Sequence, residues 1–325
     1  MFLCLLLIFA CAATAFAQPR TREERPERGM LAVLRRDGIL LPFAVFKGND
    51  WSEPWPINLY NLELPATIAA IPNGWWGGQP HPQWSAVLTG GDVVPLELRS
   101  PMVLPVCEER RLGIRTSYRS SQVSPAIIVQ PFPKEGVAVT PGVRVDPIEI
   151  VGANAPERSR FALELAAAIN EAEEETIRGL RRKARFDHPI HEEVRRKVVA
   201  QLEAWYRAPM DAHGWTLSYV EAAKRYSPGP EDEGCGIETV VSGWVQENAI
   251  EKKPRIELTA RVTYCDRDGV IYMLPFGILR TRSRQHWVYQ LSGVGQEWYQ
   301  VTQVSPGHLR PVVEFFGGGG LDCAP

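Results

Sequence analysis

The sequence IELTARVTY, residues 256–264, is the clearest strand signal in the chain, because apolar and polar side chains alternate along it without interruption. Alternation with a period of two is typical of a β-strand that buries one face. Comparable stretches lie on both sides of it, separated by short turns, at 236–247, 269–279, 286–292, 297–304 and 311–316. The segment 214–325 is therefore predicted to be an antiparallel β lobe with a flexible glycine-rich tail from Gly317.

Residues 30–154 show a similar pattern of short apolar runs broken by turns, which predicts a second β-rich lobe. The main runs lie at 30–34, 39–46, 85–88, 93–98, 102–107 and 112–118. Proline has no N–H to donate to a neighbouring strand, so prolines within these runs predict edge strands or strand ends. The prolines concerned are Pro42, Pro95, Pro101 and Pro105.

Residues 155–213 change to a helical periodicity and predict a helical hairpin. In the first helix, Phe161, Leu165 and Ile169 recur every four residues. A second helix is predicted to begin near Asp187, which can cap it. Its apolar face would consist of Ile190, Val194, Val198, Leu202 and Trp205. The next segment, 215–226, fits either a helix or a strand, and its turn-like flanks favour a strand.

These patterns predict an α+β fold, mostly antiparallel β in two lobes with an inserted helical hairpin, in which residues 30–325 form one compact unit. The sequence also contains a weak internal repeat. RDGI at 36–39 precedes LPF at 41–43, and RDGV at 267–270 precedes LPF at 274–276. The repeat indicates either a duplicated β unit or two hairpins with the same turn chemistry, and the second explanation is simpler.

The first 17 residues predict a secretory signal peptide. Residues 2–13 are almost wholly apolar, and Ala15-Phe16-Ala17 matches the A-x-A pattern of a cleavage site. The apolar part is too short to span a bilayer, which needs about 20 residues. The charged segment 18–29 has nothing to bury and is predicted to be a disordered leader. The mature protein is thus expected in the periplasm or outside the cell, with no transmembrane segment.

Composition excludes some classes of protein. The chain has 325 residues, a net charge of -2 and 45% hydrophobic residues, which is enough to bury a core. Near neutrality disfavours nucleic acid as a partner.

His188 and His191 are the only close histidine pair, and a metal site there would need a third ligand. The turn 266–269, DRDG, predicts a hairpin and lacks the further acids of a calcium loop. No catalytic residue, cofactor or metal is predicted.

Four cysteines remain after the signal peptide and predict two disulfides in an exported chain: Cys107, Cys235, Cys265 and Cys323. If the hairpin between strands 236–247 and 255–265 centres near Ile250, Cys235 lies opposite Cys265. The same register places Trp244 opposite Ile256. Cys107 is then left to pair with Cys323, which would fix the glycine-rich tail to the first lobe.

Tryptophan is concentrated between residues 51 and 84. Trp75 and Trp76 precede two glycines, and Trp84 follows a proline-rich stretch. Aromatic side chains exposed on a rigid loop can bind sugar rings or a partner protein, so these three are the candidate ligand-binding residues. The competing interpretation is that they close the end of a β core, because tryptophan is mostly buried in folded proteins.

The sequence therefore predicts an exported, non-catalytic protein that binds or supports an envelope or extracellular component, with a glycan or an envelope protein as the possible partner. The alternative is an exported hydrolase with a site between the β lobes.

Overall fold

A computed structural model describes residues 28–52, 65–78, 83–106, 109–121, 133–212, 214–226, 236–250, 253–281 and 284–318. These residues form mostly antiparallel β-structure with one long helix. The elements in chain order are β1 (Arg28–Leu34), β2 (Ile39–Lys47), β3 (Asp50–Ser52), two 3-10 turns (Ile68–Ala70 and Asn73–Trp76), β4 (Trp84–Leu88), β5 (Val93–Leu96), β6 (Leu98–Val106), β7 (Glu109–Thr116), β8 (Gly136–Val139), β9 (Arg144–Asp146), β10 (Glu149–Ile150), α1 (Glu157–Ala184), α2 (Glu192–Arg195), β11 (Gln201–Pro209), β12 (Trp215–Arg225), β13 (Ile237–Asn248), β14 (Arg255–Tyr264), β15 (Tyr272–Arg280), β16 (Gln285–Gly293), β17 (Gln296–Ser305) and β18 (His308–Gly318).

The strands form three sheets. The N-terminal sheet has the order β5-β4-β8-β1-β2-β7-β6, with β3 paired to β2. The middle sheet has the order β18-β17-β16-β15-β9, and the helix-bearing sheet has the order β10-β11-β12-β13-β14. The two-lobe prediction holds only in part, because the strands of segment 214–325 divide between two sheets, and β9 and β10 of the predicted first lobe join those two sheets.

The sheets are stacked, with the middle sheet packed on both of its faces. Phe43 of the N-terminal sheet and Tyr299 of the middle sheet share one core. Trp287 of the middle sheet and Tyr219 of the helix-bearing sheet share the next. Helix α1 covers the outer face of the helix-bearing sheet, where Phe161 lies in a third core. Sandwiching between two cores explains why β16 is buried along almost its whole length.

The predicted helical hairpin is wrong in its second half. Helix α1 is followed by the single turn α2 and then by strand β11. β11 carries a β-bulge at Glu203, because Leu202 and Ala204 pair with adjacent residues of β12. The extra residue brings Leu202 and Trp205 to the same face of the sheet, against α1. Their three-residue spacing thereby resembles that of a helix. The strand prediction for 215–226 is confirmed by β12.

The turn at Arg267–Gly269 does not form the predicted hairpin. It joins β14 of the helix-bearing sheet to β15 of the middle sheet, so the two strands it connects are not neighbours. Connections between sheets use the same turn residues as hairpins, and the local sequence therefore does not distinguish them.

The register of the β13–β14 hairpin differs by one residue from the prediction. Trp244 pairs with Glu257 rather than with Ile256. β13 is buried on both faces: Val241 and Val245 face α1, while Trp244 packs toward the middle sheet. A strand with apolar side chains on both faces does not define its register by hydrophobic pattern, so the turn decides it.

The repeated LPF sequence marks a shared β-bulge. Phe43 in β2 and Phe276 in β15 are the unpaired residues of their bulges, and both rings pack on Tyr299, at 5.5 and 6.4 Å between centroids. Pro42 therefore lies in an interior strand, at a bulge, which corrects its predicted edge position. The other three prolines lie, as predicted, on the edge strands β5 and β6.

The chain ends differ slightly from the prediction. β1 begins at Arg28, so the last two residues of the predicted leader, 28 and 29, belong to a strand. β18 extends to Gly318, so the strand includes the first two glycines of the predicted tail. The predicted signal peptide lies outside the described residues.

Candidate functional site

The tryptophans predicted to bind a ligand lie against the outer face of the N-terminal sheet. Trp76 and Trp84 are buried there in one core with Ile71, and Trp75 is partly buried against it. Their packing agrees with the interpretation that they close the β core. A ligand-binding role for them stays a prediction, and only Trp75 offers a solvent-accessible ring.

The two histidines of the close pair lie in different environments. His188 accepts a hydrogen bond from the Ile190 N–H at its Nδ1, whereas His191 is exposed at the start of α2. Within the described residues, no group of three or more histidine, cysteine or acidic side chains is placed to hold a metal ion.

Cys265 follows β14 and is disulfide-bonded. Continuing the ladder places it beside Gly236 rather than Cys235, one residue from the predicted register. Cys107, Cys235 and Cys323 all lie outside the described residues. The pairs Cys235–Cys265 and Cys107–Cys323 therefore stay predictions.

An aromatic cluster occupies the interface between the helix-bearing and middle sheets. Trp244 lies edge-to-face with Tyr219, Trp287 and Tyr289, at centroid distances of 5.0, 5.1 and 5.8 Å. Those three rings are buried, whereas Trp244 is partly exposed. Edge-to-face contacts on several sides orient the indole, so Trp244 presents an ordered aromatic surface at the boundary between core and solvent.

A chain of polar groups starts at this cluster and runs across the middle sheet. The Tyr289 hydroxyl lies 2.8 Å from both Gln300 Oε1 and Thr302 Oγ1. Gln300 Nε2 donates to Glu314 Oε2 at 2.6 Å. Thr302 is buried and Glu314 is exposed on the edge strand β18. These hydrogen-bonded side chains therefore extend from the aromatic cluster to solvent.

On the face of the helix-bearing sheet that points toward the middle sheet, side chains become more exposed from β12 to β14. On β12 the side chains of Tyr219 and Glu221 are buried, and the residues paired with them on β13 are partly exposed. The next residues along this face, on β14, are exposed. The middle sheet covers β12 and leaves β14 open. We call this open surface the shelf, and its residues are Ser242, Trp244, Glu257, Thr259 and Arg261.

Glycines at two turns allow arginines to lie at either end of the shelf. The guanidinium of Arg261 lies against Gly269, and that of Arg255 lies against Gly307, where an added Cβ would collide with each guanidinium. Both glycines have a positive φ, 70° and 72°. Arg255 also lies over the ring of Trp215, 5.1 Å from its centroid. The sheets are tied together at this end, because Gln246 Oε1 accepts from the Gly307 N–H at 2.6 Å.

Glu221 is a buried carboxyl group next to the shelf. It pairs with Ser242 across β12 and β13, and its Oε1 accepts from the Met273 N–H at 2.6 Å. Burial raises the pKa of Glu221 to about 7. An acid that is partly protonated at neutral pH is a feature of catalytic sites, although structural carboxyls share it.

A second buried polar cluster lies between α1 and the helix-bearing sheet. Glu173 Oε2 lies 2.6 Å from Lys224 Nζ, which also donates to Asn170 Oδ1 at 2.9 Å, and the Tyr226 hydroxyl donates to Glu173 Oε1. Burial alone raises the pKa of Glu173, but the hydrogen bonds from Lys224 and Tyr226 bring it below its ordinary value. Arg195 pairs with the neighbouring Glu174. These contacts fasten α1 to β12 and α2.

Comparison of the chain with protein-family models, with curated proteins and with solved structures gave no match in any of the three. Among the described residues, no helix is both long and apolar enough to cross a bilayer.

Proposed function

We propose that the chain is an exported, non-catalytic protein that binds a glycan of the cell envelope or of the extracellular space on the shelf. The observation that carries this proposal is the partly exposed indole of Trp244, ordered by three buried rings and bordered by exposed hydroxyl, carboxylate and guanidinium groups.

The chemistry of the shelf suits a sugar better than it suits a protein surface. A sugar ring has an apolar face that packs on an aromatic side chain, and hydroxyls around its rim that need donors and acceptors. Thr259, Glu257 and Arg261 supply such groups on adjacent positions of the same face. Interfaces between proteins instead have a fully buried core depleted of charged residues.

A non-catalytic role is supported by two sets of ion pairs whose members are buried or partly buried. The Arg267 guanidinium contacts Glu203 at 2.6 and 2.7 Å and Glu238 at 2.9 Å. Glu173 is similarly engaged by Lys224. These ion pairs fasten strands of the helix-bearing sheet to one another and to α1, so the paired residues are not available as an acid or base for a substrate.

Export is supported by the signal-peptide pattern and by an even number of cysteines in the mature chain. Intact-mass measurement of the protein secreted by its host should show Gln18 or its cyclised form at the amino terminus. A retained segment 1–17 would contradict this part of the proposal. So would a lipid on Cys11, which follows Ile8-Phe9-Ala10 as the cysteine of a lipoprotein signal would.

The test of binding is a glycan array followed by titration calorimetry on the best ligand. Trp244→Ala should weaken binding by about 5- to 150-fold, because about 1–3 kcal/mol is typical for the loss of one stacking ring. Trp75→Ala is the matched control, since Trp75 is also partly exposed but lies on the N-terminal sheet. Loss of binding in the control alone would move the site to the predicted tryptophan cluster.

The alternative function, an exported hydrolase, is favoured by one observation, the raised pKa of Glu221 between two sheets. A glycosidase acid has this property. Hydrolysis of the bound glycan by the wild-type protein, abolished by Glu221→Gln with binding retained, would replace the non-catalytic proposal. Binding without turnover in both proteins would uphold it.

A further inference from the structure

The C-terminal end of α1 projects beyond the sheet that the helix covers. The last buried side chain of the helix is Ile177, and none of residues 178–184 is buried. Gly179 and Leu180 are still partly buried and residues 181–184 are all exposed, so at 1.5 Å per residue the exposed end extends roughly 6 Å past Leu180. Most helical stability in proteins comes from packing of an apolar face, and this exposed end lacks such packing.

The projecting end is strongly cationic. Within eight residues it carries Arg178, Arg181, Arg182, Lys183 and Arg185, all of them exposed. Asp187 is the one acid that the structure pairs with this group within the described residues, and it contacts Arg181 at 2.7 Å. The end of α1 therefore keeps an excess of positive charge facing solvent.

The helix dipole accounts for only part of this charge. Cations near a helix C-terminus are stabilising, but the effect is confined to the last turn. Arg178 and Arg182 are four residues apart, as are Arg181 and Arg185, and like charges at this spacing destabilise a helix. The arrangement is therefore not the one that best stabilises α1, and a role in binding explains it better.

We propose that this cationic end docks the protein on the surface of a bilayer that contains anionic lipid head groups. Charge complementarity carries the proposal, and the projection of the helix allows the side chains to reach a flat surface without steric conflict from the sheet. Each cation close to such a surface strengthens binding about fivefold. The proposal is independent of the shelf, which lies on the opposite face of the helix-bearing sheet.

The test uses the full mature protein and sedimentation with vesicles of equal parts phosphatidylglycerol and phosphatidylcholine. Binding is expected to fall steeply with added salt and to be absent on vesicles of phosphatidylcholine alone. The triple variant Arg178→Gln, Arg182→Gln, Lys183→Gln should bind roughly a hundredfold more weakly, while glutamine preserves helix propensity. Circular dichroism confirms that the variant is folded.

A matched control removes three exposed cations from β6 and β7 of the N-terminal sheet, with Arg99→Gln, Arg110→Gln and Arg115→Gln. The control should bind vesicles as the wild type does, and so should the shelf variant Trp244→Ala. Equal losses in the two triple variants would reduce the effect to net charge and overturn the proposal. Tighter binding to an oligonucleotide than to anionic vesicles would also overturn it.

Discussion

Replacing Glu221 by glutamine should change how stability depends on pH. In the folded protein, burial raises the pKa of Glu221 from 4.5 to about 7. Each pKa unit corresponds to about 1.4 kcal/mol, so ionisation of this carboxyl costs the folded state about 3 kcal/mol. The folded state binds more protons than the unfolded state between these two values. The wild-type protein therefore loses stability as the pH rises from 4.5 to about 7.

Glu221→Gln cannot ionise, and its amide oxygen can still accept the Met273 N–H. Relative to the wild type, its free energy of unfolding should rise by about 3 kcal/mol between pH 4 and pH 8. Urea unfolding of both proteins across this range measures the difference. A difference that does not vary with pH would refute the assignment of a raised pKa to Glu221.

Glu203→Gln is the control of opposite sign. Burial raises the pKa of Glu203, but Arg267 and Arg225 lower it below its ordinary value. The charged form of Glu203 thus stabilises the fold at neutral pH, and this contribution is lost as the pH falls. The variant should be most destabilised near neutrality and approach the wild type in acid.

Three further outcomes are expected. Lys224→Met removes the nearer cation of the buried Glu173, which keeps only Arg195 at 3.9 Å, and should cost about 3–5 kcal/mol in urea unfolding, whereas removing the charges of Lys224 and Glu173 together should cost less than the single change. Trp76→Ala should cost about 3–5 kcal/mol because its ring is buried, and a melting temperature equal to that of the wild type would contradict this. Non-reducing peptide mapping should recover a peptide that joins Cys235 to Cys265, and a peptide joining Cys265 to any other cysteine would exclude that pair.

The strands of the second half could be predicted from sequence because alternation is a local property. The stretch IELTARVTY predicted β14 nearly to its ends, and the strands from 272 to 318 also lie close to the expected ranges. Each of these strands is bounded by turn residues, so its length is fixed without reference to the rest of the fold.

The errors arise where a shift of one residue changes the face of the sheet to which the side chains of a strand point. The bulge at Glu203 places Leu202 and Trp205 on one face, which made β11 resemble a helix. The observed pairing of β13 with β14 likewise differs by one residue from the predicted register. The hydrophobic pattern could not fix this register, because β13 is buried on both faces. The stacking of three sheets depends on contacts distant in sequence, such as Phe43 with Tyr299, and no local pattern predicts them.

The shelf was only partly visible in the sequence. The polar half of IELTARVTY contains Glu257, Thr259 and Arg261, but alternation alone shows only that these side chains face away from α1. The predicted register put Ile256, rather than Glu257, beside Trp244. Trp244 is a single tryptophan inside a strand, whereas Trp75 and Trp76 are adjacent and precede two glycines in a loop. Its contacts come from β12 and β16, which only the folded chain brings together.

The most direct test of the proposed function is the NMR signal of the tryptophan indole N–H groups during titration with the glycan that an array selects. The Trp244 resonance should shift with ligand concentration, while those of Trp76 and Trp84, buried at the N-terminal sheet, should stay unchanged. A shift of the Trp75 resonance with none at Trp244 would contradict a binding site on the shelf.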